Sequence, residues 1–400
     1  MSESTALAIT AATATSSLGR GLAAHAQALQ AGRSGLRPAE DLAGYAHAPG
    51  WLGAVDGLDA VAMPSAQAEY DCRNNRLAWL GLQQDDLRER IEACRSRVGA
   101  ERIGVFLGTS TSGIAQTEQA YHQAAPGAFA RLPDWYAYRY SHNVHSVTAF
   151  VSAALGLTGL SQTISTACSS SAKVFAAASR AIRAGWCDAA LVGGVDSLCE
   201  TTLFGFHALQ LVSPQACRPA DVRRDGISIG EAAGFALLER DSEPAAWRLL
   251  GYGESSDAHH MSTPDPQGAG ARLAMDEALA RAGLQPVDID YVNLHGTGTP
   301  ANDRSEARAV RGLFGDAVPA SSTKGWTGHC LGAAGVLEAV IGLLSIQEGY
   351  VPQSLNTDQV DPEIDIDIPL TPRQQPVRRV LSNSFGFGGS NACLILGGAV

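Results

Sequence analysis

Cys168 lies in the segment STACSSSA, residues 165–172, just before a run of small and apolar residues that reaches about Gly185. The spacing of that run predicts a helix, which puts the cysteine at or near a helix N-terminus. There the macrodipole favours a thiolate and lowers the thiol pKa, which suits attack on a thioester. His295 stands where the apolar stretch 288–294 runs into HGTGTP. The carboxyl end of a strand is where α/β sheets bind ligands. The two glycines there lack GxGxxG spacing and a following P-loop lysine, so a phosphate loop is excluded. Lys324 and His329 share STKGWTGHC, directly ahead of a long apolar helix. A histidine at a helix N-terminus tends to stay neutral and still donates one hydrogen bond. Finally, SFGFGGSN at 384–391 packs three glycines into four residues, which lets backbone N–H groups approach a substrate closely. Taken singly, each signal also has a plain structural reading: a buried cysteine, a packing or capping histidine, a hairpin turn.

The elements that must position these residues follow from apolar patterning. Helical spacing covers 17–36, and short apolar runs at 103–107, 188–195 and 233–238 read as buried strands. A polar, proline-bearing stretch at 241–246 marks a boundary, giving halves 1–240 and 241–400. Beyond it the pattern restarts: a helix at 268–283, a strand at 288–294, a helix at 303–313, a short strand near 317–322, a long apolar helix at 331–348, and strands at 378–383 and 392–397. Strands alternating with helices imply parallel sheets covered on both faces, in two similar α/β units.

Composition narrows the function class. A net charge of −11 argues against general nucleic-acid binding. Eight scattered cysteines without a CxxC pair give no support for a zinc site, and free thiols suggest a reducing compartment. The N-terminus lacks the pattern of a signal peptide, and no run of 18 apolar residues occurs, so a cytoplasmic protein without a membrane span is expected.

In combination, TACSSS, HGTGTP, STKGWTGHCLGAAG and SNSFGFGGSN resemble, in this order and spacing, the β-ketoacyl-acyl carrier protein synthases of the elongating type. The resemblance runs from AGRSGLRP at 31–38 to the C-terminal strands. It implies a thiolase-like fold: two related α/β halves, each with a five-stranded mixed sheet, in a five-layer α-β-α-β-α sandwich with the site between them. It implies that Cys168 takes an acyl chain, that His295 and His329 bind a malonyl thioester carbonyl, and that the backbone N–H groups of Cys168 and Phe387 form an oxyanion hole. Lys324 resembles a supporting lysine with Glu338 as its partner; Asp303 and Glu306 match supporting acids. Thr297 and Thr299 resemble residues that hold a phosphopantetheine arm, with Phe385 beside them and Phe387 as a gate. Arg73, Arg76 and Arg131 fall where a basic patch for an acidic carrier protein is expected. No cofactor is bound on this reading; the 4′-phosphopantetheine arrives on the acyl carrier protein. The resemblance implies a homodimer, or a heterodimer with a chain-length factor.

There are departures. Cys330 replaces the usual serine or threonine, the first strand lacks its usual glycines, and 118–140 is rich in aromatic residues. A non-catalytic chain-length-factor-like subunit is the main alternative, although such subunits replace the nucleophilic cysteine. Thiolase chemistry needs a second cysteine in place of one histidine, and a cysteine hydrolase needs water at the acyl-cysteine. The pathway is fatty-acid elongation or a specialised type II polyketide or aryl polyene system; the segment 71–76 and the aromatic stretch favour the second.

Overall fold

The structure is a computed structural model describing residues 6–124, 131–240 and 245–398. Ten strands carry the fold. The first half supplies β1 (Leu7–Ser16), β2 (Ile103–Gly108), β3 (Ser161–Ile164), β4 (Ala189–Asp196) and β5 (Ala232–Glu239). The second supplies β6 (Trp247–Ser256), β7 (Tyr291–Asn293), β8 (Ala320–Ser321), β9 (Arg379–Gly386) and β10 (Ser390–Gly398). Their spatial order is β8-β7-β9-β10-β6-β1-β5-β4-β2-β3. Each half therefore repeats one topology, with its first strand beside its fifth, then its fourth, second and third. The halves join where β1 and β6 pair antiparallel, from Leu7 opposite Leu249 to Ile9 opposite Trp247. The proposed boundary at 241–246 falls partly on 241–244, outside the described residues.

The apolar pattern's expectation of parallel sheets is corrected, while the mixed sheets that the resemblance implies are present. In each half the outer three strands run parallel, while the fifth strand is antiparallel to both of its neighbours. In the second half the cause is local: β9 and β10 are joined by only the tight glycine turn at 387–389, and such a connection can make only an antiparallel pair.

Six helices matter for the site: α1 (Arg73–Leu82), α2 (Ser170–Arg183), α3 (Glu200–Ala208), α4 (Ala269–Ala282), α5 (Pro300–Phe314) and α6 (Ala334–Glu348). Helices α2 and α6 form the middle layer, and the same core holds alternate residues of β5 (Ala232, Ala236, Leu238) and β10 (Ala392, Leu394, Leu396). The intervening residues, such as Phe235, Leu237 and Ile395, face two outer cores, one against α1 and one against α4 and α5. This five-layer arrangement is the thiolase-like fold. Small residues let α2 and α6 approach: a Cβ on Gly335 would lie 2.7 Å from the Ala172 nitrogen. The stretch Leu331–Glu348 is long and apolar enough to cross a membrane, yet 83% of it is buried inside this layer, which accounts for its apolarity.

Each middle helix follows a residue in the left-handed region, Ala167 (φ 52°) before α2 and Leu331 (φ 50°) before α6. Non-glycine residues hold that conformation only where the surroundings impose it. These two turns place Cys168 and His329 face to face.

Candidate active site

Cys168 is buried, and His329 Nε2 lies 3.0 Å from its Sγ. The His295 and His329 rings stand edge to face with centroids 5.3 Å apart. One donor atom from each of Cys168, His295 and His329 lies within 4.8 Å of the others. The three come from different places: the turn before α2, the end of β7, and the loop before α6.

Five contacts hold His295 and the turn it begins. Its backbone N–H and that of Gly296 each donate to Glu306, at 2.8 Å, and Asn383 donates to the same carboxylate at 3.0 Å. The Lys324 ammonium donates to the His295 carbonyl and stands 3.4 Å from Nδ1. An ammonium has no lone pair, so Nδ1 must accept, and the imidazole proton sits on Nε2, aimed at the site. That tautomer makes His295 a hydrogen-bond donor there. A zinc ion, for which the three donors have suitable chemical types, needs the Nε2 lone pair that this tautomer withholds. Lys324 is itself ion-paired with Glu338, both fully buried. Asp303 accepts from the Ala220 N–H at 2.9 Å and the Gly298 N–H at 3.2 Å, so it braces the HGTGTP loop from behind.

Burial and the nearby Lys324 charge hold His329 well below the ordinary imidazole range; burial, Lys324 and His329 do the same for His295. Both are neutral at physiological pH. For His329 this agrees with the state expected from its place before a helix, but desolvation is the larger cause. For Cys168 the sequence expectation is corrected. Burial pushes its thiol up to about 11, although Lys324 and the Phe387 backbone N–H pull it down. The thiol is protonated at rest, because burial costs the thiolate more than Lys324 and the Phe387 N–H restore. Alkylation of Cys168 by iodoacetamide is therefore expected to rise about tenfold per pH unit between pH 7 and 9, as the thiolate fraction does below such a pKa. Peptide mass spectrometry reads it, and a rate already level at pH 7 would mean a resting thiolate.

A cavity of about 400 Å³ opens over the three residues. Thr297 and Thr299 line it with hydroxyl oxygens 2.9 Å apart, as do Phe385 and Phe387. The Phe387 ring packs on Phe206 of α3, centroids 5.7 Å apart. Sequence reading missed Phe206, Leu209, Asp257 and Thr263 in this wall, since they come from segments without a recognisable motif.

Of the three arginines, the structure corrects the placing of Arg73 on the surface. Arg73 is only 14% exposed and gives its guanidinium to the buried Glu231 and to Asp59. Arg76 forks onto Asp71 at 2.6 and 2.8 Å, and Arg131 pairs with Asp134 at 2.7 Å. Arg73 is therefore a structural tie, whereas Arg76 is part-exposed and Arg131 exposed, each in a surface ion pair. Cys330 is buried with its sulfur towards the Thr327 and Gly328 carbonyls, and burial raises its thiol. No described residue of 118–140 lines the cavity; Tyr121, Trp135 and Tyr138 are exposed.

With this geometry in view, comparison with known proteins is decisive. Residues 4–244 match the β-ketoacyl synthase N-terminal domain, and residues 247–358 the β-ketoacyl synthase C-terminal domain. The chain belongs to the β-ketoacyl synthase family. Among relatives of this β-ketoacyl synthase, the mitochondrial 3-oxoacyl-[acyl-carrier-protein] synthase of Arabidopsis thaliana is 39% identical over 317 residues, 74% of this chain and 68% of that one. The ketosynthase ApeO of Xenorhabdus doucetiae, solved in complex with its chain length factor ApeC, superposes with a TM-score of 0.86 at 37% identity, covering 98% of both chains. The ishigamide ketosynthase/chain length factor gives 0.87 at 27% identity, covering 98% of this chain and 99% of that one. The β-ketoacyl synthase is thus an acyltransferase that performs the family's condensation, the chain-elongating step of fatty acid and polyketide synthesis.

Proposed function

We propose that Cys168 carries the growing chain and that His295 and His329 activate the extender. The observation that carries this reading is the meeting of Cys168 Sγ, His295 and His329 at the base of an open cavity. In the first half-reaction the Cys168 sulfur attacks the thioester of an acyl carrier protein. The carbon–sulfur bond to the phosphopantetheine breaks, and its thiolate leaves with the proton Cys168 gives up. Once acylated, Cys168 has no proton to share with His329. Both imidazoles then donate Nε2–H to the carbonyl of a malonyl thioester. Carbon dioxide departs, its bonding electrons form the enolate, and the two N–H groups hold the negative oxygen in a dry site. The enolate carbon attacks the acyl-cysteine; the new carbon–carbon bond forms as the Cys168 sulfur leaves as thiolate and takes up a proton from solvent. The N–H groups of Cys168 and Phe387 stabilise the oxyanions of both acyl transfers.

On this reading no cofactor resides in the protein, and the phosphopantetheine arm enters past Phe387 along Thr297 and Thr299. Halves 1–240 and 241–400 contribute the nucleophile and the two histidines. The partners are an acyl carrier protein and a second subunit, either a copy of this chain or a chain-length factor, in the cytoplasm. The likeness to ApeO, itself solved with its chain length factor, supports pairing with such a factor, the arrangement that a specialised polyene or polyketide role would use. Purified protein with a candidate chain-length factor is expected to extend polyenoyl carriers in preference to saturated ones, followed by mass spectrometry of the carrier. Extension of saturated chains of many lengths but not of polyenoyl chains would reverse the pathway assignment and leave the condensation intact.

A further inference from the structure

Asp196 ends β4 and is fully buried, yet it belongs to none of the motifs. Its carboxylate accepts from six donors. Five lie in the loop after β2: the Thr109 hydroxyl at 2.7 Å, the Ser110 N–H at 2.9 Å and hydroxyl at 2.6 Å, and the Thr111 N–H at 2.8 Å and hydroxyl at 2.7 Å. The sixth is the Gly332 N–H at 2.6 Å, in the turn that links His329 to α6. The Ser110 hydroxyl also accepts from that N–H at 3.2 Å. A Cβ on Gly332 would lie 2.7 Å from the carboxylate and 2.8 Å from the Ser110 nitrogen, so the contact leaves no slack.

His329 needs such an anchor. Among the described residues no group hydrogen-bonds its buried Nδ1, so the ring is not oriented from its far side. Its backbone is held on one side by the Ser228 carbonyl, 2.7 Å from the His329 N–H, and by the Gly230 N–H, 3.0 Å from the His329 carbonyl. On the other side the chain passes through Leu331, in the left-handed region, and meets Asp196 two residues after Cys330. We propose that Asp196 is a positioning residue for His329: it clamps the turn Cys330–Leu331–Gly332 of one half to the Thr109–Thr111 loop of the other, and so sets His329 Nε2 against the reacting thioester. The inference rests on the role given to His329 above.

A double-mutant cycle on the full-length protein tests it, reading carbon dioxide release from malonyl carrier protein in Asp196→Asn, His329→Ala and the double variant, with thermal unfolding as the check on folding. Asp196→Asn keeps the shape but turns an amide N–H₂ towards N–H and O–H donors. It is expected to slow decarboxylation roughly 10- to 100-fold, the scale of a small misplacement of a catalytic group. In the His329→Ala background the same change is expected to do almost nothing. Should Asp196→Asn fail to fold, Ser110→Ala, which removes the bridging hydroxyl, takes its place in the cycle with a smaller effect of the same pattern. Equal loss in both backgrounds, or no loss in a folded single variant, overturns the proposal alone. Wild-type decarboxylation by His329→Ala would overturn the role of His329, and the proposal with it.

Discussion

Cys168→Ala is expected to abolish transfer of the acyl group to the protein and to cut condensation by about 10⁴- to 10⁶-fold, the range seen when a covalent nucleophile or its partner is deleted. The protein should stay folded, since alanine removes one sulfur from a turn held by backbone bonds. Malonyl decarboxylation should survive in it, because His295 and His329 remain. His329→Ala should show the opposite pattern, with decarboxylation cut to a low but measurable residual rate that His295 sustains. Parallel assays of acyl-enzyme mass, carbon dioxide and β-ketoacyl product separate the two. Acyl transfer at the wild-type rate by Cys168→Ala would remove the cysteine from the mechanism.

Lys324→Met is expected to lower stability by about 3–5 kcal/mol at neutral pH, the usual cost of removing one partner from a buried ion pair. Lys324 and Glu338 are 1% and 3% exposed, so the orphaned carboxylate has no water to turn to. The pH dependence follows from the sign of the Glu338 shift. Burial raises its pKa above the ordinary carboxylate value, and Lys324 pulls it back. A carboxyl with a raised folded-state pKa contributes fully below its unfolded pKa, and that contribution fades as pH rises through the folded value. Without Lys324 the folded value rises further. The deficit of the variant should therefore be small near pH 4 and grow towards neutrality. Replacing Glu338 as well, by Leu, should restore much of the loss, because no charge is then buried. Thermal or urea unfolding from pH 4 to 8 measures both effects; a deficit independent of pH would place the damage in packing rather than charge.

Much of the site is legible in the sequence because its residues sit in short motifs where chain direction and side-chain chemistry coincide. Cys168 precedes a helix and His295 follows a strand, and both patterns are local. Strand β6 was not anticipated. Its glycines at 251 and 253 weaken the strand signal, and they are there because α4 lies on them: a Cβ on Gly253 would be 1.8 Å from the Ala274 carbonyl. The mixed sheet is implied by the family resemblance but not by the apolar pattern, since strand direction depends on which distant strands pair. Arg73 misleads for a related reason. Arg73 looks like surface charge until Glu231, 158 residues away, is seen beneath it. Asp196 is the same case at the catalytic centre, a lone acid whose six donors come from segments far apart in the chain.

The most direct measurement is intact-mass spectrometry of the wild-type protein after incubation with acyl carrier protein loaded with short acyl chains, then with malonyl carrier protein. An added acyl mass on the wild type but not on Cys168→Ala, discharged into a β-ketoacyl product when the malonyl carrier arrives, is the predicted result. A folded wild-type protein that takes up no acyl group from any primer, alone or with a chain-length factor, would contradict a nucleophilic Cys168.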